Sequence, residues 1–220
     1  MERCPEPEEL MDTPEQALAY AQADFTEPNR LFVDQWIARF GSLSGTALDL
    51  GCGPADIPIQ LAQACPNLAI HALDGAEAML VLARQAVAKA GLIERIQLLL
   101  ARLPASLPCP FYQAIFSNSL LHHLADPQAL WNTLRGYAAP KAPLLVMDLR
   151  RPASDVIARA IVERYAAHEP ELLRRDFLHS LRAAYTPEEV REQLNLAGLH
   201  QLTIELPSDR HLLVWGWACG

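Results

Sequence analysis

The chain of 220 residues is 51% hydrophobic and carries a formal net charge of −8. These values fit one domain with a substantial core and argue against binding duplex nucleic acid, because neutralising phosphates needs a basic face. The five cysteines are scattered without a C-x-x-C pair, and neither a signal segment nor a membrane-spanning apolar run is present, so we expect a cytoplasmic protein with a small-molecule ligand.

The first forty residues read as an extended piece followed by helices. Pro5 and Pro7 lie in an acidic opening that we expect to be extended or disordered. Thr13 and Pro14 then provide a helix cap and a first-turn proline, and the apolar stripe 31–37 has helical spacing. We therefore expect an N-terminal helical cap over residues 1–42.

The central motif is ALDLGCGPADIPI, residues 47–59, an apolar strand that turns at once into a helix. Gly51 and Gly53 lack Cβ, so they can take positive φ and let a ligand approach the backbone. Pro58 falls in the first helical turn, where its missing N–H costs little. This pattern predicts a nucleotide-binding turn.

The residues around this turn distinguish between kinds of nucleotide site. A dinucleotide fingerprint needs a glycine where Asp56 stands, and a P-loop needs a lysine that is absent between Arg39 and Lys89. Asp49 followed by Gly-x-Gly instead resembles the first motif of class I S-adenosylmethionine-dependent methyltransferases. A carboxylate suits that cofactor, which carries a positive ammonium and a positive sulfonium. An ordinary strand-to-helix turn with a glycine pair stays open as the alternative.

A second carboxylate follows the next apolar strand, 68–74. Asp74, with Gly75 after it, ends this strand about two dozen residues past the glycines, where a carboxylate can accept hydrogen bonds from ribose hydroxyls. Nicotinamide and adenosylmethionine enzymes share this feature, so it indicates a ribose and not one particular cofactor. Met79, in the first turn of the following helix, would lie against the adenine ring or belong to the core.

The third strand, 96–100, reads as apolar, and we expect helices to cover both of its faces. The resembled family usually places an acidic residue after this strand to meet the adenine amino group, whereas this chain has Arg102 and Leu103. The resemblance then implies that the backbone near Arg102 binds the adenine or that the arginine stacks on it. A solvated Arg102 is the alternative.

The segment 111–131 carries a Leu-His-His sequence followed by Asp126 and Pro127, as many of the resembled methyltransferases do. Because adjacent histidines in a loop usually point apart, we expect at most one to face the methyl group. The resemblance suggests that His123 is a structural hydrogen bonder and that His122 faces the substrate, where an imidazole could take a proton from the acceptor. Both histidines could instead be buried or capping residues.

The fifth strand, 142–148, delivers Asp148 to the rim where ligands gather in open parallel sheets. Asn118, at the end of the fourth strand, reaches the same rim. Two oxygen ligands are too few for a cation site, so we predict no metal.

Two further helices, between Ala153 and Tyr185, interrupt the alternation of strands and helices. They resemble the insertion, about residues 151–185, that caps the acceptor pocket in the family. Arg174 and Arg175 in this segment would favour an anionic acceptor if they lie near the pocket. A solvated charged face is the alternative for these residues and for His168 and His179.

The last quarter of the chain completes the fold. Thr186 and Glu189 form a capping box around Pro187, and 200–206 with 210–217 reads as an antiparallel hairpin. A parallel five-stranded core ending in such a hairpin resembles the Rossmann-like seven-stranded methyltransferase sheet, an α/β fold with helices on both faces. Residues 43–220 would form this domain.

The sequence thus predicts a methyltransferase of the small-molecule, ubiquinone/menaquinone-methyltransferase-like group that uses S-adenosylmethionine. A protein that binds this cofactor without turnover is the alternative from another class. The attacking atom of the acceptor and the oligomeric state stay open. Cofactor contacts are expected from Tyr20, Asp49, Gly51, Gly53, Asp74, Gly75, Met79, Arg102, Leu103 and Asn118, and catalysis from His122, His123 and Asp148.

Overall fold

The computed structural model describes residues 1–6 and 12–220. Pro7, part of the opening piece that we expected to be extended or disordered, lies outside the described residues.

Seven strands form one sheet with the order β3-β2-β1-β4-β5-β7-β6. The first five strands pair in parallel, and β7 pairs antiparallel with both β5 and β6. The predicted parallel core with a C-terminal antiparallel hairpin is confirmed. The strands are β1 Gly45–Leu50, β2 Leu68–Asp74, β3 Ile96–Leu100, β4 Ala114–Asn118, β5 Pro143–Leu149, β6 Thr203–Glu205 and β7 His211–Trp217.

Eight α-helices and a 3₁₀ turn are assigned among the described residues. None of these helices is long and apolar enough to cross a membrane. The helices are α1 Pro14–Gln22, α2 Thr26–Phe40, α3 Asp56–Ala64, α4 Glu77–Lys89, α5 Gln128–Tyr137, α6 Asp155–Ala166, α7 Glu171–Ala183 and α8 Pro187–Leu196, and the 3₁₀ turn is Leu121–His123.

The core lies on both faces of the sheet. One hydrophobic cluster joins the sheet to α2, α3 and α4, and a second joins its other face to α5 and α8. On the first face, the rings of Phe32 and Trp36 pack on Phe116 of β4 with centroid distances of 6.0 and 5.5 Å. Large aromatic side chains of this kind contribute much of the apolar area that a core buries.

This packing bears on the predicted cap over residues 1–42. Because Phe32 and Trp36 are fully buried in the main core, α2 is part of the sheet's packing. Helix α1 packs elsewhere, with Ala17 against Ala76 and Met79 at the start of α4. The boundary at residue 42 stays a prediction.

Strand β3 differs from its prediction. It is an edge strand that pairs only with β2, Gln97 is exposed, and Leu100 is 56% exposed. An edge strand has a neighbour on one side only, so helices do not cover it as completely as a central strand. The expectation that both faces of this strand are covered was wrong.

Helices α6 and α7 lie where the two-helix insertion was predicted. They form a small hydrophobic cluster of their own around Ile161 and Leu181, which includes Leu149 at the end of β5. Ser154 caps α6 by accepting a hydrogen bond from Ile157 N. The insertion is therefore attached to the rim of the sheet.

The predicted capping box of α8 is confirmed. Thr186 Oγ1 accepts from Glu189 N, and the Glu189 carboxylate accepts from Thr186 N at 2.8 Å. Gly198 follows the helix with φ +72°, the left-handed conformation typical of a residue just past a helix end.

Candidate active site

A crevice opens at the carboxyl ends of β1 and β4, where the strand order of the parallel core reverses. Ligands of open α/β sheets bind at such a switch point. Eight of the predicted site residues line this crevice: Tyr20, Asp49, Gly51, Gly53, Asp74, Met79, Asn118 and His123.

The glycine turn has the conformation that the motif predicts. Gly51 has φ +78° and Gly53 has φ +52°. A Cβ on Gly51 would lie 2.9 Å from Leu120 Cβ, whereas a Cβ on Gly53 would meet nothing within 4 Å. Ala55, directly before α3, is also left-handed with φ +72°. The turn therefore needs glycine at 51 for space and keeps the surface at 53 open for a ligand.

Asp74 ties the end of β2 to this turn. Its Oδ2 accepts a hydrogen bond from Gly53 N and its Oδ1 accepts one from Ala76 N, both at 2.8 Å. Burial raises the pKa of Asp74, and these backbone donors oppose that shift only in part. Each carboxylate oxygen keeps a second lone pair, so the predicted ribose contact is compatible with this arrangement and stays a prediction.

Asp49 is buried beside it and lacks a donor. The residue is 1% exposed, and its Oδ2 has no hydrogen-bond partner among the described residues. Burial, reinforced by the charge of Asp74, raises the pKa of Asp49 well above its ordinary value. A buried carboxyl oxygen without a donor is costly unless a ligand supplies one.

Asn118 presents a second oxygen of the same kind. Its Oδ1 is buried without a partner in the described part of the chain, and the residue lines the crevice together with Asp49. Two acceptor oxygens without donors fit a ligand with an ammonium group, as S-adenosylmethionine has. The residues present therefore fit the predicted cofactor.

Two apolar residues form other parts of the crevice. Tyr20 stacks with Phe25 at a centroid distance of 4.5 Å, and burial, with the nearby charge of Asp56, raises its pKa. Met79 lines the crevice and also packs on Ala17, and its contact with the adenine ring stays a prediction.

Three predicted cofactor residues lie elsewhere. Gly75, Arg102 and Leu103 are not among the residues that line the crevice. Arg102 is exposed, and Leu103 packs against the cluster on the opposite face of the sheet. Leu103 is partly buried there, and the adenine contact of the backbone near Arg102 or of its side chain stays a prediction.

A larger chamber adjoins the crevice. It holds about 460 Å³, within the roughly 300–1,000 Å³ of small-molecule sites, and its apolar walls include Leu149, Tyr165 and Phe177. The crevice and the chamber share Tyr20, Phe25, Asn29, Asn118, Ser119 and His123. A ligand in the crevice can therefore present one end to a second ligand in the chamber.

The two adjacent histidines do not point apart as expected. Their ring centroids are 4.0 Å apart with an interplanar angle of 36°. Both lie on the 3₁₀ turn, and a carboxylate holds each ring: Asp148 holds His122 and Glu6 holds His123. The two ion pairs fix the rings side by side.

His122 is the more buried histidine. It is 3% exposed, and its Nδ1 lies 2.5 Å from Asp148 Oδ1. Burial alone lowers the pKa of His122, but the charge and hydrogen bond of Asp148 outweigh burial and raise it. His122 lines only the chamber, whereas His123, with an 18% exposed side chain, lines both cavities. Both histidines therefore line the chamber, and His123 borders the crevice as well; which of them faces the substrate stays a prediction.

Asp148 holds the 3₁₀ turn that carries the two histidines. The buried carboxylate accepts from His122 N at 3.3 Å and from Leu149 N at 2.6 Å, in addition to its bond with the His122 ring. It does not line either cavity. Asp148 orients His122, and its catalytic role stays a prediction.

One group of side chains has metal-ligand composition. Glu6, His122 and His123 offer ligand atoms that all lie within 4.8 Å of one another. In both histidines Nδ1 already bonds a carboxylate, so only Nε2 would be available to an ion. The prediction of no metal stays a prediction.

Comparison with known proteins finds a similar family. Residues 47–141 match the family model described as "Methyltransferase domain". This stretch, rather less than half of the chain, is similar to methyltransferase domains.

The chain also matches a curated protein. Over 116 residues the chain is 29% identical to a release factor glutamine methyltransferase from Gloeobacter violaceus. The match covers 53% of this chain and 39% of that relative, so this chain spans well under half of the relative's length.

Solved structures share the methyltransferase fold. A SAM-dependent methyltransferase from Aquifex aeolicus superposes with a TM-score of 0.68 at 21% identity, over 93% of this chain and 98% of that one. The plantazolicin methyltransferase BpumL, solved in complex with SAH, gives a TM-score of 0.72 at 13% identity over 94% and 91%. At these identities the likeness establishes the fold, and the predicted fold class is confirmed.

The charged residues of the chamber are mostly paired. Arg210 stacks on Tyr165, with its guanidinium 3.5 Å from the ring centroid, and pairs with Glu27 at 3.0 Å. Arg164 pairs with Asp209 at 3.2 Å. The arginines singled out from the sequence lie outside the chamber lining, and they pair with acidic neighbours: Arg174 with Glu163 and Arg175 with Asp176.

Sequence reasoning missed Glu6. The residue lies 117 positions before His123, to which it bonds, in a piece that composition marks as extended or disordered. No local spacing signals such a contact. The chamber residues Tyr165 and Arg210, 45 positions apart in the sequence, are likewise brought together only by packing.

Proposed function

We propose that this chain transfers a methyl group from S-adenosylmethionine to a small molecule held in the chamber. The observation that carries the proposal is the joined pair of cavities at the carboxyl ends of β1 and β4. The crevice carries two buried oxygens without donors, on Asp49 and Asn118. The chamber has the size of a small-molecule site.

The chain's own residues provide binding and orientation. The turn Gly51–Gly53 gives close backbone approach, Asp49 and Asn118 accept from an ammonium group, and Asp74 accepts from ribose hydroxyls. The bound cofactor supplies an electrophilic methyl group. Helix α1 and the insertion α6–α7 contribute wall residues that position the acceptor, and positioning of this kind supplies much of the rate in displacement reactions.

The acceptor that we propose is neutral or cationic. Acidic residues of the chamber wall, Asp24, Glu169 and Asp176 among them, outnumber its arginines. Both arginines of the lining, Arg164 and Arg210, are neutralised by carboxylates. An anionic acceptor, which Arg174 and Arg175 would favour only if they lay near the pocket, would meet this acidic wall without a free guanidinium.

Calorimetry with S-adenosylmethionine and its demethylated product S-adenosylhomocysteine tests the proposal. Both molecules should bind. Asp49→Asn should lower the affinity for S-adenosylmethionine by about 10-fold or more, since hydrogen bonds to charged groups contribute about 1.5–3 kcal/mol. Asp34→Asn, an exposed carboxylate on α2, is the matched control and should bind as the unchanged chain does.

A methyl-release assay with pools of small molecules then tests turnover. Acceptor-dependent formation of S-adenosylhomocysteine is expected. Tight binding without turnover in any pool would support a non-catalytic binding protein instead, and absence of binding would refute both functions.

A further inference from the structure

The opening segment, residues 1–6, is anchored against the histidine turn. Arg3 Nε donates to Ala183 O at 2.6 Å and its Nη2 donates to His122 O at 3.2 Å. The Arg3 guanidinium also lies 4.1 Å from the ring centroid of Tyr185, and Cys4 N donates to Arg182 O at 3.1 Å. The segment that composition marks as extended or disordered is thus held between α7 and the 3₁₀ turn.

Glu6 extends from this segment to His123. Its side chain is only 8% exposed, Oε1 accepts from Ser180 Oγ at 2.6 Å, and Oε2 bonds His123 Nδ1. Burial alone would raise the pKa of Glu6, but the hydrogen bond and charge of His123 outweigh it and lower the pKa to about 2. Glu6 is therefore ionised at neutral pH.

This contact fixes the tautomer of the neutral imidazole. An ionised carboxylate only accepts hydrogen bonds, so His123 Nδ1 must carry the proton of the shared bond. In the neutral ring the lone pair then resides on Nε2. His123 lines both the crevice and the chamber, so Nε2 is the ring nitrogen left to meet an acceptor there.

We propose that His123 is the base for the acceptor and that Glu6 is its positioning residue. The proposal rests on the proposed methyl transfer and adds which residue receives the proton. His122 is paired in a similar way with Asp148, but it is buried and does not line the crevice. Of the two histidines held by carboxylates, His123 lines both cavities, whereas His122 lines the chamber alone.

The proposed methyl transfer balances in both protons and electrons. A lone pair of the acceptor heteroatom forms the new bond to the methyl carbon, and the electron pair of the broken carbon–sulfur bond stays on sulfur, which becomes neutral. The acceptor's proton moves to His123 Nε2, and the imidazolium is stabilised by the Glu6 carboxylate.

Nitrogen-15 NMR of histidine-labelled protein tests the positioning without an acceptor. The chain has seven histidines, and His123→Gln identifies the signals of His123. We expect the unchanged protein to show only the Nδ1–H form of neutral His123. Glu6→Gln should show a mixture, because an amide can donate as well as accept. Glu2→Gln, an exposed carboxylate of the same segment, should leave the signals unchanged.

Kinetics and calorimetry complete the test. With an acceptor from the methyl-release assay, Glu6→Gln should lower kcat about 10- to 100-fold, with KM and S-adenosylhomocysteine affinity changed less than about 3-fold. Glu6→Asp should restore part of kcat. Activity of the unchanged protein should survive chelators.

Each contrary outcome has a distinct meaning. If S-adenosylhomocysteine binds but Glu6→Gln leaves the His123 tautomer and kcat unchanged, the positioning role is refuted and the methyl transfer stands. A chelator-sensitive activity that a divalent ion restores would also refute the positioning role of Glu6, since Glu6, His122 and His123 would then bind a metal. If the product does not bind the unchanged protein, the proposed function itself fails.

Discussion

At the residue scale, the three left-handed residues of the β1–α3 turn differ in what surrounds them. Gly51 has Leu120 against the position of a Cβ, whereas Gly53 faces open space in the crevice. Ala55 shows that this turn accepts a Cβ on a left-handed residue, at an intrinsic cost of about 1–2 kcal/mol.

This difference predicts separate effects for two substitutions. Gly51→Ala should lower the free energy of unfolding by about 3 kcal/mol, because it combines left-handed strain with a clash against Leu120. Gly53→Ala should cost only about 1 kcal/mol but weaken S-adenosylhomocysteine binding about 10-fold, since its methyl group projects into the ligand space. Urea unfolding and calorimetry measure the two effects, and equal losses of stability would show that the turn does not use the glycines in this way.

At the element scale, Glu189 in the first turn of α8 makes contacts both within its own helix start and with a residue outside the helix. Glu189 completes the capping box and also accepts from Arg151 Nη2 at 2.6 Å. The Arg151 side chain is buried, and its Nη1 donates to Ala184 O. One glutamate therefore satisfies the first turn of a helix and a buried guanidinium.

Two substitutions separate these roles. Thr186→Ala should cost about 1 kcal/mol through loss of the cap. Glu189→Ala should cost about 2–3 kcal/mol, because it also leaves the buried charge of Arg151 without its carboxylate. Glu188→Ala, exposed in the same helical turn, is the control. Chemical denaturation measures all three, and a Glu189 variant no weaker than the Thr186 variant would contradict the double role.

At the scale of the whole molecule, the buried residue His211 makes one contribution to the pH dependence of stability, opposite in sign to that of Asp49, Asp74 and His122, whose pKa values are raised. Burial, together with the charge of Arg210, lowers the pKa of His211 to about 4 from an ordinary value of 6.5. Between these values the unfolded chain binds a proton that the folded chain excludes. The contribution of His211 to the free energy of unfolding is therefore fully present above pH 6.5 and is lost as the pH falls towards 4.

Protonation of His211 should lower the free energy of unfolding by at most about 3 kcal/mol. Glu6, with a pKa of about 2 against an ordinary 4.5, adds a further loss below pH 4.5. Unfolding measured from pH 7.5 to 4.5 should show the first loss, and His211→Gln should flatten it. His200→Gln, exposed before β6, should keep the slope, and a slope that survives His211→Gln would refute the assignment.

The sequence by itself determined what depends on near neighbours along the chain. The strand–turn–helix around Gly51, the capping box of Thr186 and Glu189 and the final hairpin were all predictable, because the residues that stabilise each one lie within a few positions of each other. The alternation of these elements then indicated the sheet.

Only the tertiary structure decided contacts between distant parts of the chain. The strand order makes β3 an edge and buries Leu103 on the opposite face from the crevice-side helices. It also decides that Glu6, not Asp148, holds His123. Such contacts depend on how whole elements pack, and the free energy of that packing is distributed over a core that no local spacing describes.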